Sequence, residues 1–524
     1  MIRAATLWAA TALLVLSGGV SAQQPQPAPT TAEQPARPET QGAASAGRRG
    51  PETRRLPPDS VTEHALELPG RTLRFTATAG SIQLSDGQGN LQAEIAFTAY
   101  TLPGADAATR PVTFAVNGGP GAASAYLHLG ALGPWRLPLD GSVVSASATP
   151  ALVPNAETWL DFTDLVFIDP VGTGYSRGVG SGEELTNRFF TVESDIESLG
   201  EVVARWLRAR DRMAVPKFFI GESYGGFRGP LLAEKLREGH GAALSGIVLL
   251  SPVLDFGWFS QPRHAPWPHV TRLPSYAAAA LEAKGGVTRE ALRDAESYAS
   301  GEYLLDLMRG LQDRAAVERV SGRVAALTGL DPALVRSVAG RVEMGTFQRE
   351  FRRATGRVLS AYDTGVTGLD PDPTSRMSRF EDPLLAALRP PLTSAIVDHT
   401  ARTLKFRVDA RYHLLNGSVN GAWRWSRGRG QPESVSTLRE EMAIDGNLRT
   451  LVVHGFTDLV TPYYASHLLL NQLPDWGPER RARLEVYPGG HMFYTRDASR
   501  AAFRADAEKF FAEAREARIR AAGQ

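Results

Sequence analysis

Six short apolar runs, most of them emptying into a glycine-rich or polar turn, limit what this chain can fold into. They are Val112–Val116 before NGGPG, Leu165–Ile168 before DPVGTGYS, Lys217–Ile220 before GESYGG, Ile247–Leu250, Leu451–Val453 before HGFTD, and Leu484–Tyr487 before PGGHMFY. Runs of this length, rich in β-branched and aromatic residues and without polar alternation, suit strands buried on both faces. Between the second and third runs, Ile196, Leu199, Val202, Val203, Trp206 and Leu207 have helical spacing. Strands alternating with helices predict an α/β fold with a mostly parallel sheet covered by helices on both faces. Two longer segments, Leu73–Gln83 and Leu91–Tyr100, alternate in the manner of an opening antiparallel pair.

The chain has 524 residues, enough for two domains or for one large α/β domain carrying an insertion. Between about Phe256 and Phe406 the pattern turns mainly helical, with stretches such as Arg289–Arg309 and a start at Asp331-Pro332, where Asp can cap and Pro suits the first turn. The strand pattern then returns, and an amphipathic helix around Phe503, Phe510 and Phe511 closes the chain. The predicted layout is a core over residues 59–256 and 406–524 interrupted by a mainly helical cap at 257–405.

At the N-terminus, Arg3 precedes an apolar run from Ala4 to Leu16 and small residues ending in Val20-Ser21-Ala22. This reads as a secretory signal peptide over residues 1–22, cleaved after Ala22 and leaving no membrane anchor. Residues 23–58, rich in Pro, Ala, Gln and Thr, read as a disordered linker. The predicted location is a periplasm or the medium. There is no cysteine, so neither disulfides nor a lipidated Cys enter the picture. With 57 Lys+Arg against 56 Asp+Glu, charge gives no reason to expect nucleic acid or an anionic membrane as partner. A small or peptidic ligand is expected.

A serine hydroxyl needs a base to remove its proton and donors to hold the oxyanion that forms. In GESYGG, Gly221 and Gly225 permit a tight strand-to-helix turn that lifts Ser223 above the carboxyl edge of the sheet, with a strand before it and the apolar Leu231–Leu236 after it. Asp458 follows the strand Leu451–Val453, and His491 follows Leu484–Tyr487. The order Ser223, Asp458, His491 is that of α/β-hydrolases. His454 abuts a buried strand and reads as structural, His264 and His269 lie in the insertion, and His467 falls on a helix. Asp445 and Asp497 read as caps or turn residues. No H-E-x-x-H or comparable ligand cluster occurs, and GTG at Gly172–Gly174 lacks the rest of a nucleotide loop, so no metal or cofactor is expected. Gly118 and Gly119 in NGGPG let the main chain approach a ligand, and the N–H of Tyr224 is the second candidate oxyanion donor.

Taken together, NGGPGAAS (Asn117–Ser124), LGP (Leu132–Pro134), DPVGTGYS (Asp169–Ser176), GESYGG, GFTD and GGHM (Gly489–Met492) resemble the serine carboxypeptidase family, as a secreted member of bacterial type. The resemblance runs over roughly residues 90 to 495, the insertion matching in position alone. It implies an α/β-hydrolase fold with a cap, acting on the C-terminal residues of peptides and often best at acidic pH. It also implies Ser223 as nucleophile, Asp458 and His491 as the rest of the triad, Gly119 and Tyr224 as the oxyanion hole, and Asn117, Gly118 and Glu222 as binders of the substrate carboxylate. A protonated Glu222 can donate to that carboxylate where an ionised one would repel it. The family pairs this residue with a second Glu two positions before the G-P of LGP, and Ala131 stands there. Two other readings carry tests of their own. A prolyl aminopeptidase-like hydrolase or esterase would need HGGPG and G-G-S-W-G motifs, or a free substrate amine. An inactive peptide-binding protein would ignore a fluorophosphonate.

Overall fold

Successive side chains of a strand point to opposite faces, so an apolar run without alternation must serve two cores at once. The computed structural model bears this out: Leu165 and Phe167 belong to one buried cluster, Val166 and Ile168 to the other. The same split separates Phe218 and Ile220 from Phe219, and Val248 and Leu250 from Ile247 and Leu249. The structure describes residues 56–522, apart from 105–108, 140–144, 149–150, 260–261, 376–378, 426–429 and 478. The predicted leader and nearly all of the predicted linker lie outside the described residues.

The strands of the main sheet are β1 (Ser60–Leu68), β2 (Arg71–Ser85), β3 (Leu91–Thr101), β4 (Val112–Val116), β5 (Asp164–Ile168), β6 (Lys217–Glu222), β7 (Gly246–Leu250), β8 (Arg449–Gly455) and β9 (Ala482–Tyr487). Their spatial order is β1-β2-β3-β5-β4-β6-β7-β8-β9, with the short Arg177–Gly178 strand pairing beside β3. β1, β2 and β3 are antiparallel neighbours, and from β5 onward every pairing is parallel. The order reverses at β5-β4-β6, and this switch point is where ligand crevices form in open α/β sheets. This is the α/β-hydrolase fold expected from the order of the turns.

Helices α1 (Val192–Ala209) and α2 (Tyr224–His240) cover one face through Val202, Val203, Trp206, Phe227 and Leu232. The other face is covered by the helix Pro383–Asp398 and by the long C-terminal helix Asp497–Ala522, whose Phe511 stacks on Phe218 with ring centroids 3.9 Å apart. Between β7 and β8 the chain leaves the sheet for a series of mainly helical segments with their own core around Val270, Tyr276, Val324 and Phe347. That core reaches Phe456 and Leu459, so the helical segments press on the turn after β8.

Two predicted elements change. The stretch Arg289–Arg309 is not one helix: Arg289–Tyr298 and Leu304–Arg309 are separated at Ala299–Tyr303, where Gly301 takes φ −105° and ψ −110°. A glycine in mid-helix holds helical geometry poorly. The helix after GESYGG starts at Tyr224 rather than near Leu231. Asp331 does cap its helix, accepting from the Ala333 N–H at 2.7 Å.

Candidate active site

The register puts the carboxyl ends of the strands level. Val116 of β4 pairs with Gly221 of β6, Glu222 with Leu250 of β7, Leu250 with Val453 of β8, and Gly455 with Tyr487 of β9. The turns carrying Asn117–Pro120, Ser223, Ser251, Asp458 and His491 therefore open along one edge.

Ser223 stands between β6 and α2 with φ 62° and ψ −121°, a conformation that strains any residue with a Cβ. Close packing enforces the turn, because a Cβ on Gly221 would lie 2.0 Å from the Gly225 carbonyl oxygen. Ser223 N–H donates to the Leu250 carbonyl at 2.9 Å, which pins the turn to the neighbouring strand. Its side chain is half-buried and has no hydrogen-bond partner among the described residues. The hydroxyl is free to react at the N-terminus of a 17-residue helix, where the backbone dipoles favour negative charge.

The histidine and the acid meet in two turns that touch. A Cβ on Gly455 would sit 2.1 Å from the Gly490 carbonyl oxygen, so these backbones leave no room for a side chain. His491 Nδ1 faces Asp458 Oδ2 at 2.7 Å; since an ionised carboxylate cannot donate, Nδ1 carries the proton and Nε2 is left basic. Asp458 Oδ1 accepts from the Val460 and Thr461 N–H groups at 2.8 and 3.0 Å, and Thr461 Oγ1 lies 2.7 Å from Oδ2. Burial by itself would raise Asp458, but the His491 charge, its hydrogen bond and the Thr461 donors outweigh burial and hold it below the usual carboxylate value. Burial pulls His491 down, while the Asp458 charge and hydrogen bond, with Glu222 behind them, carry it above the ordinary imidazole value. Ser251 Oγ donates to the His491 carbonyl at 2.8 Å, and the Tyr362 ring stands edge-on to the imidazole at 5.2 Å.

The NGGPG loop lies directly on the serine turn. A Cβ on Gly118 would be 2.5 Å from Tyr224 N, and Gly119 has φ 100°. Neither the Gly119 nor the Tyr224 N–H has a hydrogen-bond partner among the described residues, so two donors are left unused beside the serine. Asn117 Nδ2 donates to Glu222 Oε2 at 2.9 Å, and the Leu127 N–H donates to Asn117 Oδ1 at 3.0 Å. Tyr494 OH also donates to Glu222 Oε2, at 2.8 Å. Burial pushes Glu222 up to about 7 against the pull of His491 and these two donors. Ala131 is buried and carries no carboxyl.

The predicted rivals lie elsewhere or are engaged. His454 is buried with Nε2 2.8 Å from Ser466 Oγ, and burial lowers it to about 4. Asp445 accepts from the Asn447 N–H, Asp497 pairs with Arg500, and His467 sits beside Arg289. Of the tryptophans, Trp423 packs on Tyr224 at 5.3 Å, whereas Trp258 stacks on Trp267 and Trp135 packs against Phe75 and His399.

Sequence reading did not single out Thr461, Ser251, Tyr494, or the buried pair Asp195–Arg228. The Arg228 guanidinium grips Asp195 at 2.7 and 2.9 Å and donates to the Asn117 carbonyl at 2.7 Å. Nor did it mark Asp363, which accepts from Thr457 Oγ1 and from Arg496, linking the acid and histidine turns.

Residues 77–258 match the sequence model described as serine carboxypeptidase. This segment of the chain, which carries NGGPG and GESYGG, is thus similar to the serine carboxypeptidase family. It is 25% identical over 278 residues to the pheromone-processing carboxypeptidase kex1 of Schizosaccharomyces japonicus, covering 48% of this chain and 47% of that protein. With the pheromone-processing carboxypeptidase KEX1 of Yarrowia lipolytica it shares 24% identity over 389 residues, 71% of this chain and 53% of that one. The chain thus spans about half the length of these curated relatives. Among solved structures, the proline iminopeptidase of Mycobacterium smegmatis aligns over 84% of this chain and 99% of its own at 14% identity, with a TM-score of 0.37. So distant a likeness adds nothing to the assignment, and the fold rests on the strand order. No helix among the described residues is long and apolar enough to cross a membrane.

Proposed function

We propose that this protein is an exported serine carboxypeptidase that removes C-terminal residues from peptides through an acyl-enzyme on Ser223. The observation that carries the reading is the placement of a buried, high-pKa carboxyl, Glu222, one residue before a strained serine at the edge that also holds the His491–Asp458 pair. A hydrolase acting on neutral ends has no use for a carboxyl buried there; a peptide's terminal carboxylate can accept its proton.

In this reading His491 Nε2 takes the proton of Ser223 Oγ as the oxygen attacks the scissile carbonyl. The oxyanion is held by the Gly119 and Tyr224 N–H groups, and Asp458 stabilises the imidazolium through Nδ1. Collapse breaks the C–N bond, and the imidazolium gives its proton to the departing amine, which leaves as the free amino acid. Water then attacks the ester with His491 as base, and the shortened peptide leaves with a new carboxylate. Neutral Glu222 and Asn117, with the Gly118 main chain, hold the terminal carboxylate. We extend the reading to a cap over residues 257–405 that shapes the side-chain pockets, and to export through the leader over residues 1–22.

The test is hydrolysis of N-blocked dipeptides. Release of the last residue from the free acid, with much weaker action on the C-terminal amide, is the expected result. Equal rates on acid and amide would refute the exopeptidase claim, and a need for a free amine would favour an aminopeptidase. Failure to label Ser223 with a fluorophosphonate at any pH would leave a peptide-binding protein.

A further inference from the structure

Glu222 presents one oxygen already engaged and one that is not. Oε2 accepts from both Asn117 Nδ2 and Tyr494 OH, while Oε1 has no hydrogen-bond partner among the described residues. A carboxyl with two donors on one oxygen carries its own proton on the other. The second unused group is Tyr126. The residue is 5% exposed, and its hydroxyl is buried with no hydrogen-bond partner among the described residues. Tyr126 is held near Glu222 through the backbone: its neighbour Leu127 donates to Asn117, whose amide donates to Glu222. A few residues on, Gly130 lies against the Tyr494 ring, where a Cβ would come within 2.7 Å of Cε2. A buried hydroxyl left unpaired is unfavourable, and a donor so placed within electrostatic reach of Glu222 is available to an external acceptor.

We propose, on the footing of the carboxypeptidase reading, that the Tyr126 hydroxyl donates to the terminal carboxylate of the peptide alongside Oε1 of Glu222, and that Tyr494 fixes which Glu222 oxygen faces it. The charged and titratable groups around this pair are Tyr494, Tyr362, His491 and Asp458 near Glu222, and Arg389, Tyr362, Tyr412 and Tyr494 near Tyr126. Arg389 adds a positive charge to that neighbourhood, and its Nε is buried without a partner among the described residues. Tyr126 is a specificity-determining residue for substrates ending in a carboxylate, and Tyr494 is a positioning residue.

The experiment compares an N-blocked dipeptide acid with its C-terminal amide in the wild type, Tyr126→Phe and Tyr494→Phe. For Tyr126→Phe, kcat/KM on the acid should fall about 10-fold or more through KM, because a bound carboxylate loses a donor, while the amide is unaffected. The melting midpoint should hold or rise, since the lost hydroxyl had no partner in the free protein. Tyr494→Phe removes a donor to ionised Glu222, so the pH at which KM for the acid begins to rise should move upward. An acid-to-amide ratio unchanged in Tyr126→Phe, or an equal loss on both substrates with a lowered melting midpoint, would overturn this inference alone. A wild type inert towards both substrates and a fluorophosphonate would overturn the proposed function and this inference with it.

Discussion

Arg228 Nη1 donates to the Asn117 carbonyl at 2.7 Å while its other nitrogens hold Asp195, so a buried ion pair on the helical layer is tied to the loop that supplies a candidate oxyanion donor. Both side chains are almost wholly buried, and Tyr224 OH adds a third contact to Asp195 at 3.2 Å. Removing one partner leaves an uncompensated buried charge. Arg228→Leu should therefore lose about 3–5 kcal/mol of unfolding free energy in urea melts, and Asp195→Leu in the Arg228→Leu background should recover most of it. Turnover should stay low in the double variant, because the Asn117 carbonyl still lacks its donor. Full recovery of kcat there would show that the pair serves stability alone.

The strain at Ser223 separates two inactive variants. Ser223→Ala removes the proposed nucleophile but keeps a Cβ at φ 62°, whereas Ser223→Gly also relieves the backbone. Both should lose at least about 10,000-fold in kcat. Ser223→Gly should be the more stable by about 1–3 kcal/mol, read as a higher urea midpoint at unchanged m-value. Equal midpoints for the two variants would argue against strain at this turn.

Glu222 and His491 face each other electrostatically, and the proposed mechanism needs the proton on Glu222 and not on His491. As pH rises through about 7, Glu222 ionises and its hold on a carboxylate weakens. KM for a dipeptide acid should rise about 10-fold by one pH unit above that midpoint, and Glu222→Gln should lack the rise. On the acid limb Glu222 is neutral and does not lift His491, so Glu222→Gln should leave the acid limb of kcat/KM nearly in place. Stability follows the same linkage. A carboxyl raised from 4.5 to about 7 binds its proton more tightly when folded, so its contribution is full below 4.5 and is lost as pH rises through 7. Urea midpoints at pH 4.5 and 7.5 for the wild type and Glu222→Gln check this slope.

What was legible in the sequence was local. Ser223, Asp458 and His491 each follow a strand of apolar residues by a few positions, so the strand's end fixes the residue's place and the sheet's register brings the three ends level. Strand β1 escaped because SVTEHALEL is an edge strand whose side chains alternate between partly and fully exposed, with Glu63 and Glu67 on the solvent side. The supports of the site escaped for a different reason. Tyr494 and Glu222 are 272 residues apart, Asp195 and Arg228 lie on different helices, and Asp363 reaches Thr457 from the helical region. Such pairs depend on how layers pack, and no periodicity in one segment encodes them. Ala131 was visible as a missing carboxyl, but the tyrosine hydroxyl that partners Glu222 was not.

Gly118 offers the most direct test of the oxyanion geometry. A methyl group there would meet Tyr224 N at 2.5 Å, the Glu222 carbonyl oxygen at 2.6 Å and Gly225 N at 2.8 Å. All three are main-chain atoms of the serine turn, and none can swing aside as a long side chain would. In Gly118→Ala the NGGPG loop must therefore move off the turn by a substantial fraction of an ångström, separating the Gly119 N–H from the Tyr224 N–H. Donors aimed at a developing oxyanion act only when both converge on it, and a displacement of about 1 Å costs on the order of 100-fold in rate. The expected result is a fall of that size in kcat, with labelling of Ser223 by a fluorophosphonate slowed in step, since the probe's phosphoryl oxygen needs the same donors. Asn117 sits on the moving loop, so KM for a dipeptide acid should rise as well, whereas a C-terminal amide should show the kcat loss without the added KM effect. Wild-type kcat in a folded Gly118→Ala protein would exclude the Gly119 and Tyr224 N–H groups as the oxyanion donors.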